Sequence, residues 1–148
     1  MNFTRIIFMS MVCLFSSGCA TNAIHSFSSQ TDYSDLYLRG VFTWWEADEK
    51  YKLQPIADGV YATQIELIAD GQPYDFKFAD AAWSPNKNCG YASLRSDQVV
   101  EVNKIVSANC QTNDENFRFT PQETGLYKFS IDFSGFGSPA VLVTLLSN

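Results

Sequence analysis

Three side chains of this 148-residue chain have types and spacing that could do chemistry together: Trp45, Lys77 and Trp83. Trp45 closes the run LYLRGVFTWW at 36–45, and Lys77 lies between two phenylalanines in YDFKFADAAW at 74–83, which ends in Trp83. An indole presents a flat apolar face, and an ammonium presents three hydrogen-bond donors. Two such faces beside one cation suit a sugar ring, which has apolar C–H faces and hydroxyls around its rim. Plainer roles compete with this one. A lone strand lysine is usually solvated, and a tryptophan just after a strand usually sits at the edge of a core. Bond-making chemistry has less to work with. Acids such as Glu46, Asp48, Asp75 and Asp80 form no recognisable catalytic pair, there is no Gly-rich phosphate loop, and the one histidine, His25, lies near the N-terminus. The expected chemistry is stacking, and the chain is not expected to be an enzyme.

Strands must carry these residues. Residues 74–79 put Tyr74, Phe76 and Phe78 on one face and Asp75 and Lys77 on the other. Upstream, Leu36, Leu38, Gly40 and Phe42 alternate with Tyr37, Arg39 and Val41, and if that pleat continues Trp44 points away from Trp45. Residues 59–68 read as a strand bracketed by the turn signals Asp58-Gly59 and Asp70-Gly71. Residues 99–106 are a weaker candidate. Residues 116–120, 126–133 and 139–146 complete the series, with a turn at Thr124-Gly125. Seven or eight strands at this spacing, with no convincing helix, predict an all-β fold. The expected architecture is one immunoglobulin-like antiparallel sandwich over residues 35–148.

Ten basic and sixteen acidic residues give a net charge of −6, which repels phosphate backbones and makes nucleic acid an unsuitable partner. The first residues read as an export signal. Arg5 precedes an apolar run at 6–15 that is too short to span a bilayer, and small residues follow up to Cys19 and Ala20. Gly18-Cys19 after such a run resembles a bacterial lipoprotein signal, although Ser16 stands where leucine is usual. That resemblance implies a signal peptide over 1–18, lipid on Cys19, a membrane anchor and, with Ala20 next, the outer membrane. Ordinary cleavage after Ala20 is the alternative and would give a soluble periplasmic or secreted protein. Residues 19–34 are polar and Ser/Thr-rich, a tether with a reach of roughly 20 Å as a coil. On the lipoprotein reading Cys13 leaves with the leader and Cys19 carries lipid, so Cys89 and Cys110 remain as an even pair for a disulfide. Two cysteines without CxxC spacing and a histidine in the tether do not make a zinc site, and no cofactor is expected.

Order and spacing add a second resemblance. LRGVFTWW at 38–45, YDFKF at 74–78 and Trp83 resemble the starch- and glycogen-binding β-sandwich modules of glucoamylases, of AMP-activated kinase β subunits and of bacterial pullulanases. The resemblance implies binding of an α-glucan, with Trp45 and Trp83 as stacking indoles and Lys77 as a hydrogen-bonding residue. An asparagine after the second indole also contributes in that family. Asn88 fits best, and Asn86 is the near alternative. Two departures stand out: Thr43 occupies a position where asparagine is usual, and Trp44 one where a small or polar residue is usual. Trp44 could add a third platform, block the site or contact another envelope protein. The likeness is strongest over 35–90, weakens through 91–115, which looks like an insertion, and returns loosely after 116. A disulfide from Cys89 to Cys110 would tie the exit of the Trp83 loop to that insertion.

Overall fold

The computed structural model describes residues 31–93 and 95–148; the expected signal peptide, Cys19 and most of the expected tether lie outside the described residues. The described residues form ten strands: β1 Tyr37–Gly40, β2 Gln54–Ala57, β3 Val60–Leu67, β4 Tyr74–Ala79, β5 Asn88–Tyr91, β6 Val99–Val100, β7 Val106–Asn109, β8 Phe117–Phe119, β9 Gly125–Asp132 and β10 Ala140–Ser147. They pair in the order β2-β3-β9-β10-β7-β5-β4-β8-β6, and β1 adds to β4 off that path. The β5–β7 pairing joins two layers, one built on β3, β9 and β10 and the other on β4. The fold is an all-β sandwich.

The alternation of β4 decides what faces where. Phe76 and Phe78 are fully buried in the core, so Asp75, Lys77 and Ala79 lie on the outer face of the layer. Phe76 pairs with Gly40 and with Phe117, whereas Phe78 pairs with Leu38 and with Cys89. β1 therefore occupies one edge of β4, while β8 and β5 share the other, end to end, with Lys77 at their junction. Rings bridge the two layers: Phe76 meets Phe129 edge-on at 5.0 Å, and Phe119 meets Tyr127 at 5.1 Å and Phe129 at 5.7 Å. Such pairs each contribute roughly 0.5–1.5 kcal/mol beyond their burial. The Tyr127 hydroxyl donates to the Glu123 carbonyl and pins the corner where the chain crosses from β8 to β9.

Several elements differ from the expectation. The strand predicted over 36–45 stops at Gly40, because residues Val41–Thr43 form a 3-10 turn and Trp44 and Trp45 follow at φ 52° and 64°. Trp44 and Trp45 therefore do not alternate across a pleat. The weak strand at 99–106 divides into β6 and β7 around a turn at Asn103, whose φ is 62°. β2 and β5 had no alternating signature: β2 is wholly exposed and carries Pro55, and β5 reads NCGY. Tyr33, placed by sequence in the tether, stacks on Phe133 at 3.6 Å, so the folded unit starts before residue 35.

Phe76 touches Phe78, Phe117 and Phe129, so truncation there opens the centre of the core. Phe76→Ala should lower unfolding free energy by about 3–5 kcal/mol, measured by urea denaturation against wild type.

Candidate functional site

Lys77 and Arg39 face each other across the β1–β4 pair, on the outer face, and both are buried. Like charges opposite one another on a sheet repel, and burial removes the water that would screen them. Neither forms a salt bridge among the described residues. Their hydrogen-bond partners are main-chain carbonyls brought over the sheet by three loops. Arg39 Nε donates to the carbonyl of Trp45 at 2.7 Å, and Nη1 donates to that of Asp80 at 2.6 Å. Lys77 Nζ donates to the carbonyls of Asn113 at 3.0 Å and Thr112 at 3.5 Å. The expectation of a strand lysine on the polar face holds for its direction, but the residue is only 1% exposed. Burial pushes the Lys77 ammonium down to about 8, against the opposing pull of Glu115 and Asp114.

Each loop brings an aromatic or polar wall with its carbonyl. After β1, the Thr43 hydroxyl exchanges hydrogen bonds with the Gly40 amide and carbonyl, both at 3.2 Å, and the Trp45 amide donates to Gly40 at 2.9 Å. After β4, Asp80 caps its own loop by accepting from the Ser84 amide at 2.8 Å, and its amide donates to the Lys87 carbonyl at 3.1 Å. Lys87 then pairs with Asp35 at 2.7 Å, beside the start of β1. The Arg39 guanidinium lies 3.6 Å from the centroid of the Trp83 ring, so one face of that indole is already covered and 38% of the residue remains exposed. The third loop, residues 110–116, belongs to the segment read as an insertion. A Cβ on Gly90 would overlap the Glu115 carbonyl oxygen, which is why this loop can lie directly on β5. The Cys89–Cys110 disulfide ties it there.

The result is an open depression of about 340 Å³ lined by Trp45, Lys77, Trp83, Asn113, Asp114 and Asn116. The structure thus brings together the two indoles and the lysine picked out by sequence. Asn88 and Asn86 do not line this depression; they line a neighbouring one that shares Trp83 and Asn113 with it. Asn88 is buried on the outer face of β5, and Asn86 accepts from Gln111 Nε2 at 2.8 Å. Sequence reasoning missed Arg39, which backs Trp83, and Asn113, Asp114 and Asn116. The amide-rich run CQTNDEN at 110–116, opening at a disulfide cysteine, was the available signal for the last three.

Backbone strain marks the same region. All three tryptophans have positive φ: Trp44 at 52°, Trp45 at 64° and Trp83 at 56°; Asn86 joins them at 66°. Bulky side chains rarely adopt this conformation, which costs on the order of 1–3 kcal/mol per residue and tends to cluster at functional sites. Trp44 is 88% exposed and lines neither depression.

The fold resembles that of a solved starch-binding domain, the ligand-induced structure of AmyP-SBD. The TM-score is 0.54 at 18% identity, over 95% of this chain and 97% of that one. At this identity the likeness establishes a shared fold. The sequence matches no protein-family model and no curated protein.

The lysine gives a pH test of the cation pair. Its folded value near 8 lies below the ordinary 10.5, so between these values the unfolded chain binds more protons and stability rises with pH. Relative to Lys77→Met, wild type should gain on the order of 3 kcal/mol between pH 7 and 11, followed by chemical denaturation at a series of pH values. A flat difference would place the lysine in an environment as wet as the surface.

Proposed function

We propose that this protein is a non-catalytic α-glucan binder of the bacterial cell envelope, with Trp45 and Trp83 stacking on sugar faces and Lys77 and Asp114 engaging hydroxyls. The observation that carries the reading is the gathering of both indoles and the lysine around one shallow depression, on a fold shared with a starch-binding domain. Indole faces give affinity to the C–H surface of a pyranose. The Asn113 and Thr112 carbonyls take two of the three ammonium protons, which leaves Lys77 one to donate, and the Asp114 carboxylate accepts, so the hydroxyl rim is met by both kinds of partner. Asn113 and Asn116 add amides that do either. The depression has one lining carboxylate, whereas hydrolysis of a glycosidic bond ordinarily uses two on opposite sides of it. This favours binding without cleavage.

An open site of this kind supports roughly −4 to −7 kcal/mol, about millimolar to ten-micromolar affinity. Several sugar units, or several copies on one surface, would be needed to retain polymer. Lipid on Cys19 supplies such a surface, and the outer membrane is the proposed location. A second reading has its own observation. Trp44 is almost wholly exposed beside the site, as a residue kept for contact with another envelope protein would be.

Affinity electrophoresis in gels containing amylopectin, glycogen or pullulan tests the sugar reading. Wild type should be retarded, and Trp45→Ala or Trp83→Ala should each weaken binding by about tenfold or more. Unretarded wild type in every α-glucan gel overturns the proposal, and retardation lost only in Trp44→Ala moves the site to the exposed indole. The anchor is tested separately. Radiolabelled palmitate should enter the expressed wild-type chain and be absent from Cys19→Ala, whereas equal labelling would refute lipidation at that cysteine.

A further inference from the structure

The end of the sandwich opposite the β3–β4 turn carries an apolar feature that sugar binding leaves unused. There the loop 133–139 joins β9 to β10, and its tip, Phe136, is fully exposed. Every other phenylalanine among the described residues is buried or half-buried. Gly135 and Gly137 flank the tip, and nothing lies within 4 Å of the place a Cβ would take on either. No charged side chain occurs from residue 133 to 147. The base of the loop is firmly held. Phe133, three residues before the tip, stacks on Tyr33 at 3.6 Å, and Tyr61 meets the two rings edge-on at 6.1 and 6.3 Å. The Phe133 amide donates to the Gly59 carbonyl at 2.8 Å. Ile56, about half exposed, lies at the same end, between the β2 residues that pair with Tyr61 and Val60. Since Tyr33 packs here, the polar segment after Cys19 joins the domain at the foot of this loop.

We infer that the 133–139 loop is a membrane contact: Phe136 enters the interface of a lipid bilayer with net-neutral headgroups, the same bilayer that holds the lipid of Cys19. This rests on the lipid-anchor reading and is independent of sugar binding. Three residues span at most about 10 Å, which keeps the tip close to the point where the tether leaves. A coil from Cys19 to Tyr33 reaches roughly 20 Å, so an anchored domain can set this end on the membrane surface. One phenyl ring holds a free domain on lipid only weakly. A tether of this reach raises the ring to an effective concentration on the order of millimolar at the surface, and weak attraction then suffices. The uncharged tip enters without the cost of desolvating an ion. Asp32, Asp58 and Asp132 stand around its base, and anionic headgroups would repel them, which selects a neutral surface. The contact turns a loose leash into a defined orientation, with the β3–β4 turn facing away from the bilayer.

The lipidated protein, extracted from bacterial membranes and reconstituted into phosphatidylcholine vesicles, tests the inference. With Cys13 removed, Cys19 carrying lipid and Cys89 bonded to Cys110, the variants Ser138→Cys and Gln72→Cys each offer one free thiol for an environment-sensitive fluorophore. Both positions are exposed, the first in the loop and the second in the β3–β4 turn at the opposite end. Brominated phosphatidylcholine should quench the label at 138 and leave the label at 72 bright. Adding Phe136→Asp to the Ser138→Cys chain should lower the ratio of embedded to free loops about tenfold or more, the effect of withdrawing one phenyl ring from lipid. Flotation should show that chain still anchored. Equal quenching at both positions, or none at 138 in a chain that floats with the vesicles, overturns the inference. A label at 138 whose colour shifts with protein density and which bromine does not quench marks a protein partner, such as a second copy, and also overturns it. A chain that fails to float removes the anchor and this inference together and leaves the sugar reading standing.

Discussion

Two cations on one sheet face, Arg39 and Lys77, set the conditions that the rest of this structure meets. Removing an ammonium and a guanidinium from water is costly, and placing them opposite each other adds repulsion. A buried carboxylate between them would have been the direct remedy. Instead the loops at 41–45, 80–87 and 110–116 bend inward and offer main-chain carbonyls, five of which lie within 2.6–3.5 Å of the charged nitrogens. The dependence is mutual. Without the carbonyls the cations would be untenable in this position, and without the cations these polar loops would have little reason to close over the sheet.

The tryptophan backbones fit the same account. Arg39 must receive the carbonyl of a residue only six positions along its own chain, which requires a tight reversal immediately after β1. The 3-10 turn followed by two left-handed residues accomplishes that reversal, and the residues placed there are Trp44 and Trp45. Glycine or asparagine would adopt those angles at lower cost. Keeping indoles there spends stability on large aromatic surfaces at the rim, an expense that a purely structural turn would not justify. Trp83 repeats the pattern on the second loop, with a guanidinium against its ring as well.

What the sequence made legible follows from the range of the forces involved. β4, β3 and β9 alternate over six to eight residues between turn signals, β10 is a continuous apolar, β-branched run, and the observed limits of all four lie within one or two residues of the expected ones. The choice of Trp45, Lys77 and Trp83 rested on spacing within two short stretches and needed no knowledge of the loops. The misses are of another kind. That Gly40 ends β1 depends on carbonyl capture by Arg39, and the burial of Lys77 depends on residues 112 and 113, some 35 positions later. Local pattern cannot report a contact at that separation. β5 was hidden for the same reason: NCGY has no alternation, and it is a strand because β4 and β7 pair with it and a disulfide holds it.

The Arg39–Trp83 stack decides what kind of platform the second indole can be. A guanidinium on one ring face leaves the other for a ligand, so Trp83 can stack on one side only and offers its edge to whatever lies past it. The cation also draws on the π density that sugar C–H groups would use, which weakens the intrinsic attraction. The compensating gain is order. An indole fixed by its backbone, by a charged neighbour and by a loop pinned through Asp80 and Lys87 has little rotamer freedom left to lose when a ligand arrives. For weak binding to a flexible chain, where the ordering cost is comparable with the attraction itself, that saving outweighs a modest loss of stacking strength. On the proposed glucan-binding reading, the strain in the rim and the buried charges beneath it serve a single end, a rigid aromatic surface made before the sugar reaches it.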